Sequence, residues 1–203
     1  MIKRTSKEFI DNTIKNNPQW NILDIGCGYT AHENANVLCD IKDLSNYYKD
    51  KKFVILNDNI LPFKDNEFDF VIASHVLEHV DEVDTFINEL ERVSRKGYIE
   101  LPTILEDNLV FENKNDHLWQ MEFDDVNNKL IILNRTQYIE PILSVASIKL
   151  LSKYFKQSLN IELLWENSIE YEVTKKNIQV DKKISRIYLF RKFLSKLIRN
   201  VIR

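Results

Sequence analysis

Leu23-Asp24-Ile25-Gly26-Cys27-Gly28 is the stretch that decides the fold: an apolar run ending in a carboxylate and passing directly into two glycines. The chain of 203 residues has only three glycines, Gly26, Gly28 and Gly97, so two in one short loop are informative. Glycine lets backbone turn tightly or come close to a ligand. Short apolar runs recur downstream: Trp20–Ile25, Val37–Ile41, Phe53–Leu56, Phe68–Ala73 and Tyr98–Leu101. Near-continuous apolar strands of this kind suit a parallel sheet covered by helices on both faces. Between them, residues 82–95 place Val83, Phe86, Ile87, Leu90 and Val93 on one helical face, with Gly97 expected at the exit. The expected fold class is α/β: a doubly wound, Rossmann-like, mostly parallel sheet flanked by helices, with a ligand at the carboxyl ends of its strands.

The second half is less regular. Lys129–Leu133 reads as a strand and Pro141–Phe155 as a helix opened by its proline. Asn160–Trp165 and Ile169–Val173 read as an antiparallel strand pair around the turn Glu166-Asn167-Ser168. No repeat or glycine-rich linker divides the body, which is expected to span 1–181. Residues 182–203 form a separate basic amphipathic helix.

Charge bounds the partners. The net charge is −3, with 44% hydrophobic and 29% charged residues. From Lys182 to Arg203 there are eight bases and no acid, which leaves 20 bases against 31 acids in the rest, a net −11. An acidic body argues against broad nucleic-acid binding. In the tail, Ile187, Phe190, Leu194, Leu197 and Val201 share one stripe, and Lys192, Lys196, Arg199 and Arg203 share another. Such a helix suits either an anionic membrane surface or packing on the acidic body, and the second is slightly favoured. The amino terminus shows no apolar leader and no run is long enough to span a bilayer, so a cytoplasmic location is expected, with peripheral membrane contact through the tail as the alternative. Cys27 and Cys39 form no disulfide framework and read as small buried residues.

The glycine loop fits two ligands. Through Ala31 it matches G-x-G-x-x-A, the dinucleotide fingerprint, with Asp40 as a ribose partner. A pyrophosphate beside Asp24, however, sets like charges together, and two such charges about 4 Å apart repel by roughly 4 kcal/mol at an effective dielectric near 20. S-adenosyl-L-methionine has no phosphate and is a net cation, so an acidic strand end suits it better. Asp40 also follows Gly28 too closely for a dinucleotide binder.

Four segments in order carry a family resemblance: LDIGCG at 23–28, VLCDI at 37–41, Asp58-Asn59-Ile60-Leu61-Pro62-Phe63 leading into Phe68-Asp69-Phe70-Val71, and Ser74-His75-Val76-Leu77-Glu78-His79. Together they resemble the class I S-adenosylmethionine-dependent methyltransferases, in particular the subgroup acting on small molecules, lipids and glycans. The resemblance implies that Asp24, Gly26, Cys27 and Gly28 hold the methionine end of the cofactor. It implies that Asp40, with Ile41, meets the ribose, Asp58 and Asn59 the adenine edge, and Ser74 and His75 the floor near the sulfonium. His79 would brace the loop. Taken singly, Asp40 could equally cap a turn, Asp58 could begin an Asx turn and Ser74 could be an N-cap.

The acceptor expected is a small molecule or a glycan or lipid-linked intermediate, methylated at oxygen. A hydroxyl acceptor benefits from a general base by roughly 10²–10⁴-fold, and His75 is the first candidate. His117 is the second; with Glu106, Asp116 and Trp119 it falls in a polar stretch that reads as a lid or sugar-binding loop. His75, Glu78 and His79 also spell H-x-x-E-H, a zinc string. Zinc is set aside here because the segment fits the methyltransferase pattern and no third ligand is evident nearby, so no metal is expected. The absence of an Asn/Asp-Pro-Pro-aromatic tetrad argues against a nucleic-acid base as acceptor. A silent cofactor-binding partner protein and a nicotinamide oxidoreductase are the alternatives.

Overall fold

The computed structural model describes residues 1–58, 60–174 and 182–201, with side chains to Arg199. Its main sheet contains β1 (Ile2–Arg4), β2 (Ile22–Ile25), β3 (Val37–Asp40), β4 (Lys52–Ile55), β5 (Phe70–Ser74), β6 (Lys96–Pro102) and β9 (Asn160–Glu166). The spatial order is β1-β9-β6-β5-β2-β3-β4. β4, β3, β2, β5 and β6 run parallel, whereas β9 is antiparallel to both β6 and β1. Every residue of β2 and β3 is buried, which accounts for their unbroken apolar character.

Chain order reverses around β2, with β3 on one side and β5 on the other. That reversal opens a crevice beyond the carboxyl ends of β2 and β5. The loop at 26–28 leaves β2 there, and Ser74 ends β5 beside it.

The two faces of the sheet are covered differently. Helix α1 (Lys7–Lys15) is capped by Ser6 and buries Ile10 and Ile14 against Ile22, Leu38, Phe70 and Ile72. On the opposite face lie α2 (Val83–Val93) and a second, three-stranded sheet of order β10-β8-β7. This sheet comprises β7 (Trp119–Asp124), β8 (Lys129–Asn134) and β10 (Tyr171–Thr174). It supplies Met121, Leu130 and Ile132 to the same core as Phe86, Ile87 and Leu90 of α2. The doubly wound class therefore holds, but a small sheet does part of the work of covering helices. No helix separates β2 from β3: 26–36 are turns, too few for a full crossover helix.

Several local expectations are corrected. Gly97 does not end α2, whose cap is Ser94 in extended conformation; it lies in β6 opposite Trp165. A Cβ on Gly97 would lie 1.9 Å from Trp165 Cη2, so the glycine makes room for the largest fully buried side chain. Helix α5 (Val145–Leu159) begins after the cap Ser144 rather than at Pro141. Antiparallel pairing is present in the second half, as β7 on β8 and β9 on β6. β9 and β10 do not pair with each other; they enter different sheets, and β10 joins β8 in parallel. The reason is burial: β9 is apolar enough to sit between β1 and β6.

The expected lid is also different. Residues 104–120 fold into α3 (Ile104–Leu109), α4 (Asn113–Asp116) and the start of β7. Trp119 is buried and its indole donates to Val80 O at 2.8 Å, so it anchors the core rather than offering a stacking face. Helix α6 (Arg186–Val201) is tied at its start by Arg186 to Glu140. Its apolar residues, including Ile187 at 72% and Phe190 at 60%, remain exposed, so the favoured packing on the body is not made by the described residues. Val201 side-chain contacts and Arg203 lie outside the described residues. No described helix is long and apolar enough to cross a membrane.

Candidate active site

Gly26 and Gly28 both take positive φ, +63° and +48°. Such backbone favours glycine because a Cβ there crowds the following carbonyl. At Gly26 an added Cβ would also meet Val76 Cγ2 at 2.5 Å, whereas at Gly28 it would meet nothing within 4 Å. One glycine serves close packing and the other leaves open space. Gly26 N and Cys27 N donate to Cys39 O, which fastens the loop to β3.

Two carboxylates frame this loop. Asp24 is 5% exposed and its Oδ2 accepts from His32 N–H at 2.7 Å. Burial pushes its pKa up to about 6 against the lowering effect of that hydrogen bond and of Lys7, with Asp40 adding a further rise. Asp40 accepts from Gly28 N–H through Oδ2 and from Lys42 N–H through Oδ1, both at 2.9 Å. The turn-capping alternative is thus realised at Asp40, which holds the loop in shape. Tyr48 completes the brace by donating to Gly28 O and accepting from Ala31 N–H. Burial, reinforced by Asp24 and Asp40, raises the Cys27 thiol to about 12, so it stays protonated and is no nucleophile.

A cavity of about 360 Å³ opens above this loop, lined by Asp24, Gly26, Cys27, Gly28, Ser74 and His75 among others. Asp40, Ile41, Asp58 and His79 do not line it. Ile41 is exposed, and Asp58 forms the Asx turn, accepting from Ile60 N–H at 2.8 Å. Asn59 lies outside the described residues. Lys7, Tyr98 and Glu100 also line the cavity and were not singled out in the sequence. Tyr98 and Glu100 sit inside an apolar run where only a strand was legible.

A second cavity of about 330 Å³ also reaches His75, lined by His75, His79, Glu106, Asp116, His117 and Lys149 among others. His75 is therefore shared by both cavities. Its φ of +55° is unusual for a side-chain-bearing residue and turns the chain sharply off β5. His75 Nδ1 lies 3.2 Å from Glu78 Oε1. Desolvation lowers its pKa, but the hydrogen bond and charge of Glu78, joined by Glu100 and Glu106, outweigh it and hold the ring above its ordinary value.

His79 and His117 meet edge to face with centroids 4.7 Å apart. His79 Nδ1 is 2.8 Å from Asp116 O, and His117 Nδ1 is 2.7 Å from Asp107 Oδ1. Asp107, 1% exposed, also accepts from Gln120 and Arg135. This buried hub was not anticipated, because nothing in Glu106-Asp107-Asn108 distinguishes it from a helix turn. His117, distant in sequence, comes to Glu78 and His79, while His75 stays out of that group.

A net-cationic nucleoside donor fits the first cavity. Asp24 is a desolvated carboxylate with a raised pKa, which an ammonium or sulfonium would relieve and a phosphate would aggravate. The open space at Gly28 admits a ligand against backbone.

Residues 23–99 match the family model described as a methyltransferase domain. The chain is 28% identical over 194 residues to the uncharacterized protein MJ0638 of Methanocaldococcus jannaschii, covering 86% of this chain and 75% of that one. Among solved structures it is similar to PH0226 from Pyrococcus horikoshii OT3, at 16% identity and TM-score 0.43, over 80% of this chain and 92% of that one. It is also similar to the [4+2]-cyclase SpnF, at 20% identity and TM-score 0.38, over 47% of this chain; here it spans about half of the solved protein, 45%. The matched residues contain the glycine loop, both carboxylates and His75, and the chain thus carries over 23–99 a methyltransferase domain, that of an enzyme whose cofactor is S-adenosyl-L-methionine.

Proposed function

We propose that this chain methylates an oxygen of a small-molecule, glycan or lipid-linked acceptor bound in the cavity beside α3 and α5. The observation that carries this reading is His75, which lines both cavities and so stands between donor and acceptor. When bound, the cofactor supplies a methyl group on a positively charged sulfur. Asp24 holds its cationic end, the Gly26–Gly28 backbone accommodates its approach and Ser74 floors the cavity. Asp40 has lone pairs beyond its two backbone bonds and serves the ribose hydroxyls with Ile41 alongside; Asp58 and Asn59 serve the adenine edge. His75 takes the proton that an acceptor hydroxyl gives up, and Glu78 stabilises the imidazolium so formed. His117, oriented by Asp107, is the second candidate base, and His79 braces the acceptor side.

His75→Asn tests the base. Asn tolerates positive φ, so the turn survives without an imidazole. Release of demethylated cofactor, followed over panels of hydroxylated small molecules, glycans and lipid-linked glycans, is expected to fall by roughly 10²–10⁴-fold with cofactor affinity little changed. Equal turnover in the variant refutes the role of His75. Cofactor binding without turnover on any panel favours a silent partner protein instead.

In this reading 1–181 form the catalytic domain of a cytoplasmic enzyme and 182–203 are a membrane-peripheral helix. Its exposed apolar stripe and its run of bases support that placement. Removing 182–203 is expected to abolish flotation with anionic liposomes; equal recovery of both forms eliminates membrane contact.

A further inference from the structure

We propose that Glu78, His79 and His117 form a binding site for a borderline divalent transition-metal ion such as zinc or cobalt, at the floor of the acceptor cavity. One ligating atom from each residue lies within 4.8 Å of the other two. The cluster unites two residues of the tight turn 77–79 with His117, the residue that ends α4, thirty-eight residues beyond His79. Leu118 N–H donating to Glu78 O at 2.7 Å holds these two segments together.

Three features distinguish the cluster from a chance meeting of polar groups. Both imidazoles are already set for coordination. A ring nitrogen 2.8 Å from a carbonyl oxygen must be the donor, so His79 carries its proton on Nδ1 and keeps the Nε2 lone pair. His117 is arranged likewise by the Asp107 carboxylate, at 2.7 Å. Metal-bound histidines are oriented in this way by a carbonyl or carboxylate on the far nitrogen. Asp107 is itself fixed by Gln120 and Arg135, so the orientation of His117 is rigid.

Glu78 supplies the independent observation. The residue is 0% exposed, and although Oε1 pairs with His75, Oε2 has no hydrogen-bond partner among the described residues. A buried carboxylate oxygen left unpaired is costly, and a cation is the group that would satisfy it.

The donor set is two imidazoles and one carboxylate, which suits zinc-like ions better than magnesium or calcium. Bonds of about 2.1 Å at tetrahedral angles bring ligand atoms to roughly 3.4 Å apart, so from separations of up to 4.8 Å the cluster closes by at most about 1.4 Å on binding. The exposed His79 has freedom to make that movement. His79 and His117 both line the acceptor cavity, so the fourth coordination position is available to an oxygen ligand there. With metal bound, His117 is a ligand and His75 remains the base.

The test uses the full chain, stripped with chelator and titrated with cobalt(II) in the absence of methyl donor, followed by visible absorption and by competition with zinc. The wild type is expected to take up about one equivalent with the intense bands of tetrahedral cobalt. His79→Ala, at an exposed position, and Glu78→Gln, which preserves shape, are expected to weaken binding by about 100-fold while circular dichroism shows an intact fold. His32→Ala, outside the cluster, leaves binding unchanged. Uptake far below one equivalent, or variants that bind like the wild type, overturns the site. Because no methyl donor is used, failure here leaves the methyl-transfer reading standing, and loss of donor binding leaves this site standing.

Discussion

Asp24→Asn is expected to stabilise the ligand-free chain at pH 7 by about 2 kcal/mol while removing its affinity for S-adenosyl-L-methionine. The Asp24 pKa is raised from 3.8 to about 6, so the charged form is disfavoured in the fold. A tenfold change in the acid constant is worth about 1.4 kcal/mol, which sets the full penalty near 3 kcal/mol. The sign follows from linkage: a carboxyl with a raised folded pKa costs nothing below its unfolded value. Stability is lost as pH rises from about 4 to about 6, and the loss stays constant above. Asn keeps an acceptor for His32 N–H but adds an amide donor that needs a partner, which reduces the gain. For a chain of this size about 2 kcal/mol corresponds to roughly 4–8 °C in Tm. Thermal melts at pH 4 and pH 7 should therefore show a gain only at the higher pH; an equal gain at both would show that desolvated charge is not the cause. On the proposed reading, Asp24 holds function at the expense of stability, a common arrangement for charged sites.

Gly97→Ala is expected to be the most damaging single methyl in the chain. Its Cβ would sit 1.9 Å from Trp165 Cη2 and 2.4 Å from Cζ2 and Cζ3, where no real contact is tolerated. Trp165 is fully buried in the same core as Val71, Ile99 and Leu163, so the ring has nowhere to move without opening that core. A loss of more than about 3 kcal/mol follows, at the upper end of overpacking effects. Trp165→Phe in the same chain should recover part of it. The smaller ring vacates the collision and also removes a buried indole N–H that lacks a partner among the described residues. Denaturant midpoints of the two single variants and the double variant give the coupling. Additive losses would show that the glycine is not there for the tryptophan.

The parallel core was legible because strands buried on both faces must be apolar throughout, and ILDI, VLCD and FVIA have no other stable use. The loop was legible for a similar reason: scarce glycines at 26 and 28 are needed for positive φ and open space. What escaped was set by tertiary context. Ile2–Arg4 is too short to read as a strand, yet β9 offers it an edge. Gly97 resembled a helix exit because its partner Trp165 is sixty-eight residues away. The stretch around His117 looked like a polar lid because its polar groups satisfy one another through Asp107, which no local pattern reveals. For the same reason the meeting of His117 with Glu78 and His79 was invisible in the string H-x-x-E-H.

The central claim is that the acidic strand ends at Asp24 and Asp40 receive a positively charged nucleoside donor. Calorimetric titration with S-adenosyl-L-methionine, its demethylated product and NAD, on the wild type and on Asp40→Ala from about pH 5 to about pH 7.5, tests it most directly. The account predicts that the methyl donor binds, weakens by up to about tenfold per pH unit below about pH 6 as Asp24 takes up its proton, and weakens further in Asp40→Ala, while NAD gives no heat. Binding of NAD alone, or donor binding indifferent to pH and to Asp40, would contradict it.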